Sequence, residues 1–363
     1  MKILFCGGGT AGHITPALAI AEELASKGKS EVAFVGRKGG KENALIEKAG
    51  YALFTVNAQG LPRKISTDAI KKAFTTLKSI GESRKILKQI KPDIVFGTGG
   101  YVSFPVIIAA KSLRIKTVIH ESNSRPGLVT KILGGRCDRL LTGYEIEAFS
   151  NRKNCIVTGN PVRRCFGRLS KGAARKKLGI PDSAFFILSV GGSGGAEKIN
   201  ESCIELMKSY SMSAREIYHI HSTGEKYYDL VKKREPIIAR GTKRCKILPF
   251  IFNMAEYLSA ADIIITRCGA ITLSEISLSS IIPIMIPSPN VTDDHQYYNA
   301  LHFSKLNAGI LIEENELTVS CLTDAVDRIR RDFSLREEML SALSKVSIPD
   351  ATEKIISELY KLC

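Results

Sequence analysis

Short apolar runs alternate with amphipathic stretches along the first half of the chain. The runs that we predict as strands are 2–6, 31–36, 51–56, 92–96, 116–120 and 139–142. Between them, apolar residues recur at helical spacing, as in Leu18, Ala21 and Leu24. Strands of four to six residues that alternate with helices are typical of βαβ units. The pattern therefore predicts an α/β fold with a doubly wound parallel sheet.

The same pattern restarts in the second half. A strand at 185–190 leads into a glycine-rich turn, which is followed by a helix through Ile199 and Met207. Further strands are predicted at 217–221, 245–248, 263–266 and 284–286. We therefore predict two Rossmann-like domains that face each other across a cleft. Their expected bounds are 1–162 and 163–340, and residues 341–363 are expected to form a C-terminal helix that packs back on the first domain.

A glycine-rich stretch, Gly7 to Gly12, follows the first strand and precedes His13. Thr15 is a suitable N-cap and Pro16 a suitable first helical residue, and Gly28 is expected to end the helix. Backbone N–H groups and the positive end of a helix dipole favour a phosphate or diphosphate at such a turn. The alternative is a plain strand-to-helix turn that needs glycine only for its dihedral angles.

Composition indicates an anionic partner. The 363 residues include 52 Lys and Arg against 36 Asp and Glu, a net charge of +16. Nucleic acid, an acidic membrane surface and a phosphorylated ligand fit this charge, but no nucleic-acid-binding motif is present, so we expect no nucleic acid. The nine cysteines form no Cys-x-x-Cys pair, as expected for reduced thiols in the cytoplasm. We expect neither a membrane span nor a signal peptide.

Residues 61–91 carry nine lysines and arginines and two acids. Ile70, Ala73, Phe74 and Leu77 recur within this segment at i, i+3, i+4 and i+7, which predicts an amphipathic helix. The apolar stripe would pack into the core, or it would lie on anionic lipid with the basic residues around it.

The first glycine-rich stretch also matches the dinucleotide-binding pattern Gly7-x-Gly9-x-x-Gly12. That site requires an acidic residue at the end of the second strand, where this chain has Arg37. Arg37 could accept a 2′-phosphate, so an NADP-dependent oxidoreductase is the alternative function.

Two polar stretches in the second half are candidate ligand sites. Thr272 and Glu275 have the spacing of a capping box, and the alternative is a diphosphate at this helix start with Glu275 on a ribose. Residues 293–299 follow a later strand, where polar side chains could contact a sugar. Asp-x-Asp is absent, and the acids there are expected to be solvated.

Seven motifs occur together over essentially the whole chain. They are Gly8-Gly-Thr-Ala-Gly-His13, Gly97-Thr-Gly-Gly-Tyr-Val-Ser103, His120-Glu-Ser-Asn123, Thr158-Gly-Asn-Pro-Val-Arg163, Gly191-Gly-Ser193, Gly269-Ala-Ile-Thr-Leu-Ser-Glu275 and Asp294-His-Gln-Tyr-Tyr-Asn-Ala300. In this order they resemble glycosyltransferase family 28, the N-acetylglucosaminyltransferases of peptidoglycan synthesis, which have the GT-B fold.

The resemblance implies UDP-GlcNAc as the donor, held mainly by the second domain. Ser193 and Arg163 would lie near its diphosphate and uridine, Glu275 on the ribose, and Gln296 and Asn123 on the sugar. The full implied donor set is Thr10, Ala11, Gly12, Asn123, Arg163, Ser193, Ile251, Ala270, Ile271, Thr272, Leu273, Ser274, Glu275 and Gln296.

The implied acceptor is lipid I, the undecaprenyl-diphosphate-linked muramyl pentapeptide, and the product is lipid II. His13 would be the catalytic base, and the acceptor diphosphate would face Gly9, Thr98, Gly99, Gly100, Tyr101 and Ser103. The resemblance implies an inverting transfer without a cofactor or an obligatory metal. It also implies a peripheral enzyme on the cytoplasmic face of the bacterial inner membrane, with other cell-wall synthesis proteins as further partners.

Three positions depart from the family's common pattern. Gly194 stands where Gln is frequent, His295 replaces the first Gln of a Gln-Gln pair, and Phe104 follows Ser103 where Gly is often found. The first two remove side-chain amides near the expected donor site, and the third changes the expected acceptor site.

Overall fold

The computed structural model describes residues 1–9, 11–28, 30–40, 43–60, 67–192, 194–213, 216–236 and 244–363, without the side chains of residues 11, 67–73 and 212–213. The chain divides into two compact units. Unit 1 comprises Met1–Arg163 and Ile348–Cys363, and unit 2 comprises Arg164–Ser347. The first division lies one residue from the predicted boundary, whereas the chain returns to unit 1 at Ile348 and not at residue 341.

Unit 1 contains a seven-stranded parallel sheet. Its strands are β1 (Lys2–Cys6), β2 (Glu31–Arg37), β3 (Ala52–Val56), β4 (Ile94–Gly97), β5 (Lys116–Glu121), β6 (Arg139–Thr142) and β7 (Cys155–Val157). Its helices before residue 163 include α1 (Ala11–Ser26), α2 (Asn43–Lys48), α3 (Thr67–Ile90), α4 (Gly100–Ser112) and α5 (Leu128–Leu133). The strand order is β3-β2-β1-β4-β5-β6-β7, so the direction of winding reverses between β1 and β4. Ligands of doubly wound sheets bind at this switch point, beyond the carboxyl ends of the strands.

Helix α1 begins five residues earlier than the sequence predicts. Thr15 is not its N-cap and Pro16 is not its first residue, because the helix starts at Ala11 and Pro16 lies in its second turn. A proline at this position removes one backbone bond, to the carbonyl of Gly12. Burial of Ile14 and Ala17 against the sheet outweighs that loss. His13 therefore lies in the first turn of a helix and not in a loop.

Helix α3 presents the apolar residues Phe74 and Leu77 to solvent, with 69% and 65% of their surface exposed. The prediction that the apolar stripe packs into the core is therefore wrong for Phe74 and Leu77. The side chains of Ile70 and Ala73 lie outside the described residues. The buried face of the helix carries Ser79, Ser83 and Leu87 instead. Ser79 fits there because its hydroxyl contacts the carbonyl oxygens of Asn57, at 2.7 Å, and Thr75, at 2.8 Å.

Unit 2 contains a six-stranded parallel sheet. Its strands are β8 (Phe185–Val190), β9 (Ile217–Ser222), β10 (Cys245–Leu248), β11 (Ile263–Thr266), β12 (Ile282–Met285) and β13 (Ile310–Leu311). Its helices include α6 (Lys171–Leu178), α7 (Glu197–Ser213), α8 (Glu225–Arg234), α9 (Met254–Ala260), α10 (Ala270–Leu278), α11 (His295–Lys305), α12 (Val319–Arg331) and α13 (Phe333–Val346). The order β10-β9-β8-β11-β12-β13 repeats the topology of unit 1, and its switch point lies between β8 and β11.

The last helix, α14 (Ala351–Tyr360), completes unit 1 and not unit 2. Its residues Ile355, Ile356 and Leu359 are buried in the same apolar cluster as Ile20 and Leu24 of α1. An ion pair also joins this helix to the sheet: Arg139 Nε of β6 lies 3.2 Å from Glu358 Oε2 of α14. The predicted break near Pro349 is confirmed, because α13 ends at Val346 and α14 begins at Ala351.

Candidate active site

Two glycine-rich turns meet at the switch point of unit 1. Cys6, at the end of β1, lies beside Gly97, at the end of β4, so the chain leaves both strands at the same edge. A Cβ atom at Gly100 would overlap the carbonyl oxygen of Gly8, and Gly100 also has a positive φ of 71°. The contact of the two turns therefore requires glycine at this position.

His13 is held between these two turns. Its Nδ1 lies 3.1 Å from the backbone carbonyl oxygen of Thr98, and the Thr98 hydroxyl donates to the carbonyl of His13 at 2.5 Å. A carbonyl can only accept, so we assign the proton to Nδ1 and the lone pair of the ring to Nε2. The ring also lies against Gly99, where an added Cβ would come within 3.0 Å of Nδ1. This geometry fixes one tautomer of the ring and leaves Nε2 as the nitrogen that can accept a proton.

Thr98 and Ser103 lie beneath the turns. Both are buried, and the Ser103 hydroxyl contacts the carbonyl oxygens of Cys6, at 2.9 Å, and Gly99, at 2.7 Å. Their hydroxyls are directed to the backbone of the turns, so these two side chains support the turns, and the predicted contact of the turns with an acceptor diphosphate stays a prediction. Gly9, Gly99, Gly100 and Tyr101 retain exposed surface.

Asn123 follows β5 and is positioned by Glu121. Its side-chain amide donates to Glu121 Oε1 at 3.2 Å, and the other carboxylate oxygen accepts from Gly127 N at 2.8 Å and Thr130 Oγ1 at 2.7 Å. The sequence analysis did not identify Glu121 as a site residue. The signal for it was a carboxylate at the end of a buried strand, directly before a candidate ligand residue.

A cavity of about 690 Å³ opens at the switch point of unit 2. Its walls include Gly191, Gly192, Gly194 and Gly195 of the turn after β8, the first turn of α7, and the side chains of Arg267 and Gln296. Val190 lies beside Thr266 at the ends of β8 and β11, which brings these walls together. Such a volume is typical of a small-molecule site.

Gln296 lines this cavity and ties its walls together. Its Oε1 accepts from Ser288 N at 2.9 Å and from Cys268 N at 3.3 Å. One turn later on α11, the buried Asn299 donates from Nδ2 to the Cys268 carbonyl at 3.1 Å. Because the Gln296 oxygen is directed to the backbone, its amino group is the end that can donate to a ligand.

Arg267 is a cavity residue that the sequence analysis missed. It forms an ion pair with Glu314, and its Nη1 donates to the carbonyls of Ile286, at 3.2 Å, and Pro287, at 3.1 Å. Both side chains of the pair are mostly buried. The available signal was an arginine directly after a strand and directly before a candidate phosphate-binding turn.

The capping box predicted at Thr272 and Glu275 is wrong. Helix α10 begins at Ala270 with Gly269 as its N-cap, and the cap has no side-chain hydrogen bond. Thr272 is therefore the third residue of the helix, and Glu275 lies half-buried in its second turn. The helix begins early because Ala270, Ile271 and Leu273 are buried, so packing against unit 2 decides its start.

The remaining predicted donor residues are dispersed along the chain. Thr10 and Ser193 lie outside the described residues, as does the side chain of Ala11, and Gly12 is exposed in the first turn of α1. Arg163 is exposed and is the last residue of unit 1 before the division, although it was predicted in the second domain. Ile251 is buried after β10, so little of its surface can reach a ligand.

Two buried histidines lie in β9, beside the strand β8 that leads into the glycine-rich turn of unit 2. Ser189 Oγ of β8 lies 2.7 Å from His219 Nε2 and 2.8 Å from His221 Nδ1, and His221 Nε2 lies 3.1 Å from Asn200 Oδ1. Burial lowers the pKa of His221 to about 4, and it lowers the pKa of His219 as well. Both are neutral at pH 7, which agrees with the structural role predicted for them.

Two Rossmann-like units with glycine-rich turns at both switch points define a GT-B type of α/β protein. The glycosyltransferase family 28 N-terminal domain model matches residues 3–142, and the family 28 C-terminal domain model matches residues 186–355. The chain belongs to glycosyltransferase family 28.

Curated relatives match along the full length. A protein of Thermoanaerobacter sp. (strain X514) is 39% identical over 100% of this chain and 99% of its own length. One of Caldanaerobacter subterraneus subsp. tengcongensis is 40% identical over 98% of each chain. Both are named UDP-N-acetylglucosamine--N-acetylmuramyl-(pentapeptide) pyrophosphoryl-undecaprenol N-acetylglucosamine transferase.

Solved structures share the fold. The crystal structure of Acinetobacter baumannii MurG superimposes with a TM-score of 0.78 at 26% identity and covers 99% of both chains. UDP-GlcNAc 2-epimerase of Neisseria meningitidis, bound to UDP-GlcNAc, shares the fold with a TM-score of 0.67 at 16% identity over 99% of this chain and 100% of its own. No helix in the described part of the chain is long and apolar enough to cross a membrane.

Proposed function

We propose that this chain transfers GlcNAc from UDP-GlcNAc to the muramyl 4-hydroxyl of lipid I and so forms lipid II. The names of its full-length relatives support this reaction. An NADP-dependent oxidoreductase is not supported, because the relatives and both family models are glycosyltransferases. The observation that carries the proposal is the fixed tautomer of His13 between the two glycine-rich turns of unit 1.

His13 acts as the base of an inverting transfer. Its Nε2 takes the proton of the acceptor 4-hydroxyl while that oxygen forms a bond to C1 of GlcNAc. The bond from C1 to the diphosphate breaks, and its electron pair leaves with UDP. Thr98 keeps Nδ1 protonated and therefore keeps the lone pair of Nε2 available for this step. General base catalysis of this kind contributes about 10²- to 10⁴-fold in rate.

The donor is proposed to bind unit 2 at its switch point. The cavity between the turn after β8 and the side chains of Arg267 and Gln296 has the size of a nucleotide-sugar site, and the amino group of Gln296 is able to donate into it. The N-terminus of α10 has no side-chain cap, so its backbone N–H groups can bind the diphosphate, with Glu275 on the ribose. The leaving charge is then stabilised without a cofactor or a metal.

We propose that the acceptor binds unit 1. The enzyme then lies on the cytoplasmic face of the bacterial inner membrane. The exposed face of α3 carries Phe74 and Leu77 together with Lys78, Arg84 and Lys85. Apolar side chains surrounded by cations suit the surface of an anionic bilayer, where each cation adds about 1 kcal/mol. Binding there would place the enzyme beside an acceptor whose lipid stays in the bilayer.

A transfer assay tests this function. Radiolabelled UDP-GlcNAc is incubated with a lipid I analogue and the purified chain, and incorporation into the lipid product is counted. We expect label in the lipid II analogue, and none when the acceptor is omitted. A chain shown to be folded by circular dichroism that transfers no label would contradict the proposal.

A further inference from the structure

Arg37 ends β2 beside the two glycine-rich turns of unit 1, and its backbone is fixed. Its carbonyl accepts from Gly40 N at 3.0 Å and from Asn43 Nδ2 at 2.8 Å. The next amide, of Lys38, donates to the Val56 carbonyl at 2.9 Å. The guanidinium therefore extends from a well-anchored point at the carboxyl edge of the sheet.

Tyr101 connects this guanidinium to the glycine-rich turns. Arg37 Nη1 donates to the Tyr101 hydroxyl at 3.4 Å, and the guanidinium carbon lies 6.0 Å from the centre of the ring. The other side of the contact is Gly9, where an added Cβ would come within 2.8 Å of the Tyr101 ring. Arg37, Tyr101 and Gly9 thus form one continuous surface.

The charge of Arg37 is not neutralised within the described chain. Among the described residues no carboxylate forms an ion pair with it, whereas the cavity residue Arg267 of unit 2 is paired with Glu314. Arg37 is exposed, and its contact with the half-buried Tyr101 places its charge beside the two glycine-rich turns of unit 1. A guanidinium binds phosphate oxygens through two parallel N–H donors, which suits a diphosphate.

We propose that Arg37 is an acceptor-specificity residue that binds the diphosphate of the lipid-linked acceptor, with Tyr101 as the residue that positions it. This inference rests on the proposed function, since it assigns a residue to the acceptor of that reaction. It also gives Arg37 a different ligand from the nucleotide 2′-phosphate considered in the sequence analysis. Arg37 acts in binding, and it takes no part in the transfer of the proton to His13.

The test compares Arg37→Ala, Arg37→Lys and Lys38→Ala in the full chain. We expect Arg37→Ala to raise KM for the lipid I analogue about ten- to a hundredfold, with kcat and KM for UDP-GlcNAc changed less than about twofold. Arg37→Lys keeps the charge without the two-pronged donor and is expected to recover part of the loss. Lys38→Ala removes the neighbouring exposed cation and controls for net charge, so we expect little change in its KM.

An acceptor analogue with a monophosphate in place of the diphosphate identifies the group that Arg37 binds. Used as a substrate or as a competitive inhibitor, it should bind the unaltered chain more weakly and should reduce the effect of Arg37→Ala. An effect of equal size with both acceptors would overturn the assignment to the diphosphate. Unchanged kinetics of Arg37→Ala in a chain that transfers GlcNAc would overturn the inference alone, whereas no transfer by the unaltered chain would contradict the proposed function.

Discussion

His13 and Thr98 hold each other through two hydrogen bonds in opposite directions. The imidazole Nδ1 donates to the Thr98 carbonyl at 3.1 Å, and the Thr98 hydroxyl donates to the His13 carbonyl at 2.5 Å. The first bond sets the tautomer of the ring, and the second fixes the backbone that carries it. The two residues are 85 positions apart, and they meet because β1 and β4 are neighbours in the sheet.

Gly100→Ala should damage the contact between the two turns. The new methyl group would overlap the Gly8 carbonyl and would occupy a positive φ, so we expect a loss of about 1–3 kcal/mol in the free energy of unfolding. The kcat of transfer should fall as well, because the added atom would come within 3.1 Å of His13 Cδ2. Urea unfolding and steady-state kinetics measure the two effects.

The matched control is Gly81→Ala in α3. Apart from the helix's own backbone and the two neighbouring residues, no atom of the described chain lies within 4 Å of an added Cβ at Gly81, so the change should stabilise the helix by about 0.5–1 kcal/mol and leave kcat unaltered. Equal effects of the two substitutions would contradict the requirement for glycine at position 100.

Glu275→Ala should weaken donor binding without uncapping a helix. Glu275 lies in the second turn of α10 and not in a capping box, so the free energy of unfolding should change by less than about 1 kcal/mol. KM for UDP-GlcNAc should rise about tenfold, as expected when a hydrogen bond to a charged group is lost. Thr318→Ala removes an observed N-cap, whose hydroxyl accepts from Cys321 N at 3.1 Å, and it should lower stability at unchanged donor KM. The reverse pattern would restore the capping interpretation.

Phe74→Ser combined with Leu77→Ser should reduce binding to vesicles that contain anionic phospholipid. Both side chains are largely exposed, so stability should change by less than about 0.5 kcal/mol for each substitution, while vesicle affinity should fall about ten- to a hundredfold. Vesicle co-sedimentation measures the affinity. Phe252→Ser is the control, because Phe252 is 80% exposed but lies in unit 2. Equal vesicle binding by the double variant and the unaltered chain would exclude α3 as the membrane contact.

The free energy of unfolding should decrease as the pH is lowered from 6.5 to about 4, because of the buried histidines. Burial lowers the pKa of His221 from 6.5 to about 4, so the unfolded chain binds the proton more readily than the folded one in this range. The free energy of unfolding therefore rises with pH there, by about 3 kcal/mol in total for this group, and is constant in this respect above pH 6.5.

His221→Gln removes this titrating group and should reduce the pH dependence measured by urea unfolding at pH 4.5 and pH 7.5, while the part due to the lowered pKa of His219 and His120 remains. His295→Gln serves as the control, because His295 lies at the start of α11 and its Nδ1 contacts the Thr292 carbonyl at 2.8 Å outside the core. An unchanged pH dependence in His221→Gln would contradict the assignment.

Most strands and the glycine-rich turns that follow β1, β4 and β8 were predictable, because buried parallel strands are short, continuous apolar runs. Strands β7 and β13 were missed, because β7 has only three residues, one of them exposed, and β13 has only two. Local signals misplaced the starts of α1 and α10. Thr15 and Thr272 are good cap residues by type, but burial of Ile14 and Ile271 extends both helices upstream of them. Arg267 acts through carbonyls 19 and 20 residues away, and Glu121 acts through the irregular loop that follows it, so motif spacing did not single out either residue.

The rate of GlcNAc transfer by His13→Ala tests the central claim most directly. Label transfer to the lipid I analogue is measured for this variant and the unaltered chain, and UDP-GlcNAc affinity is measured by calorimetry on the same samples. Loss of the base should lower turnover at least about a hundredfold while donor affinity stays within about twofold. Turnover within a few-fold of the unaltered chain would contradict the role of His13.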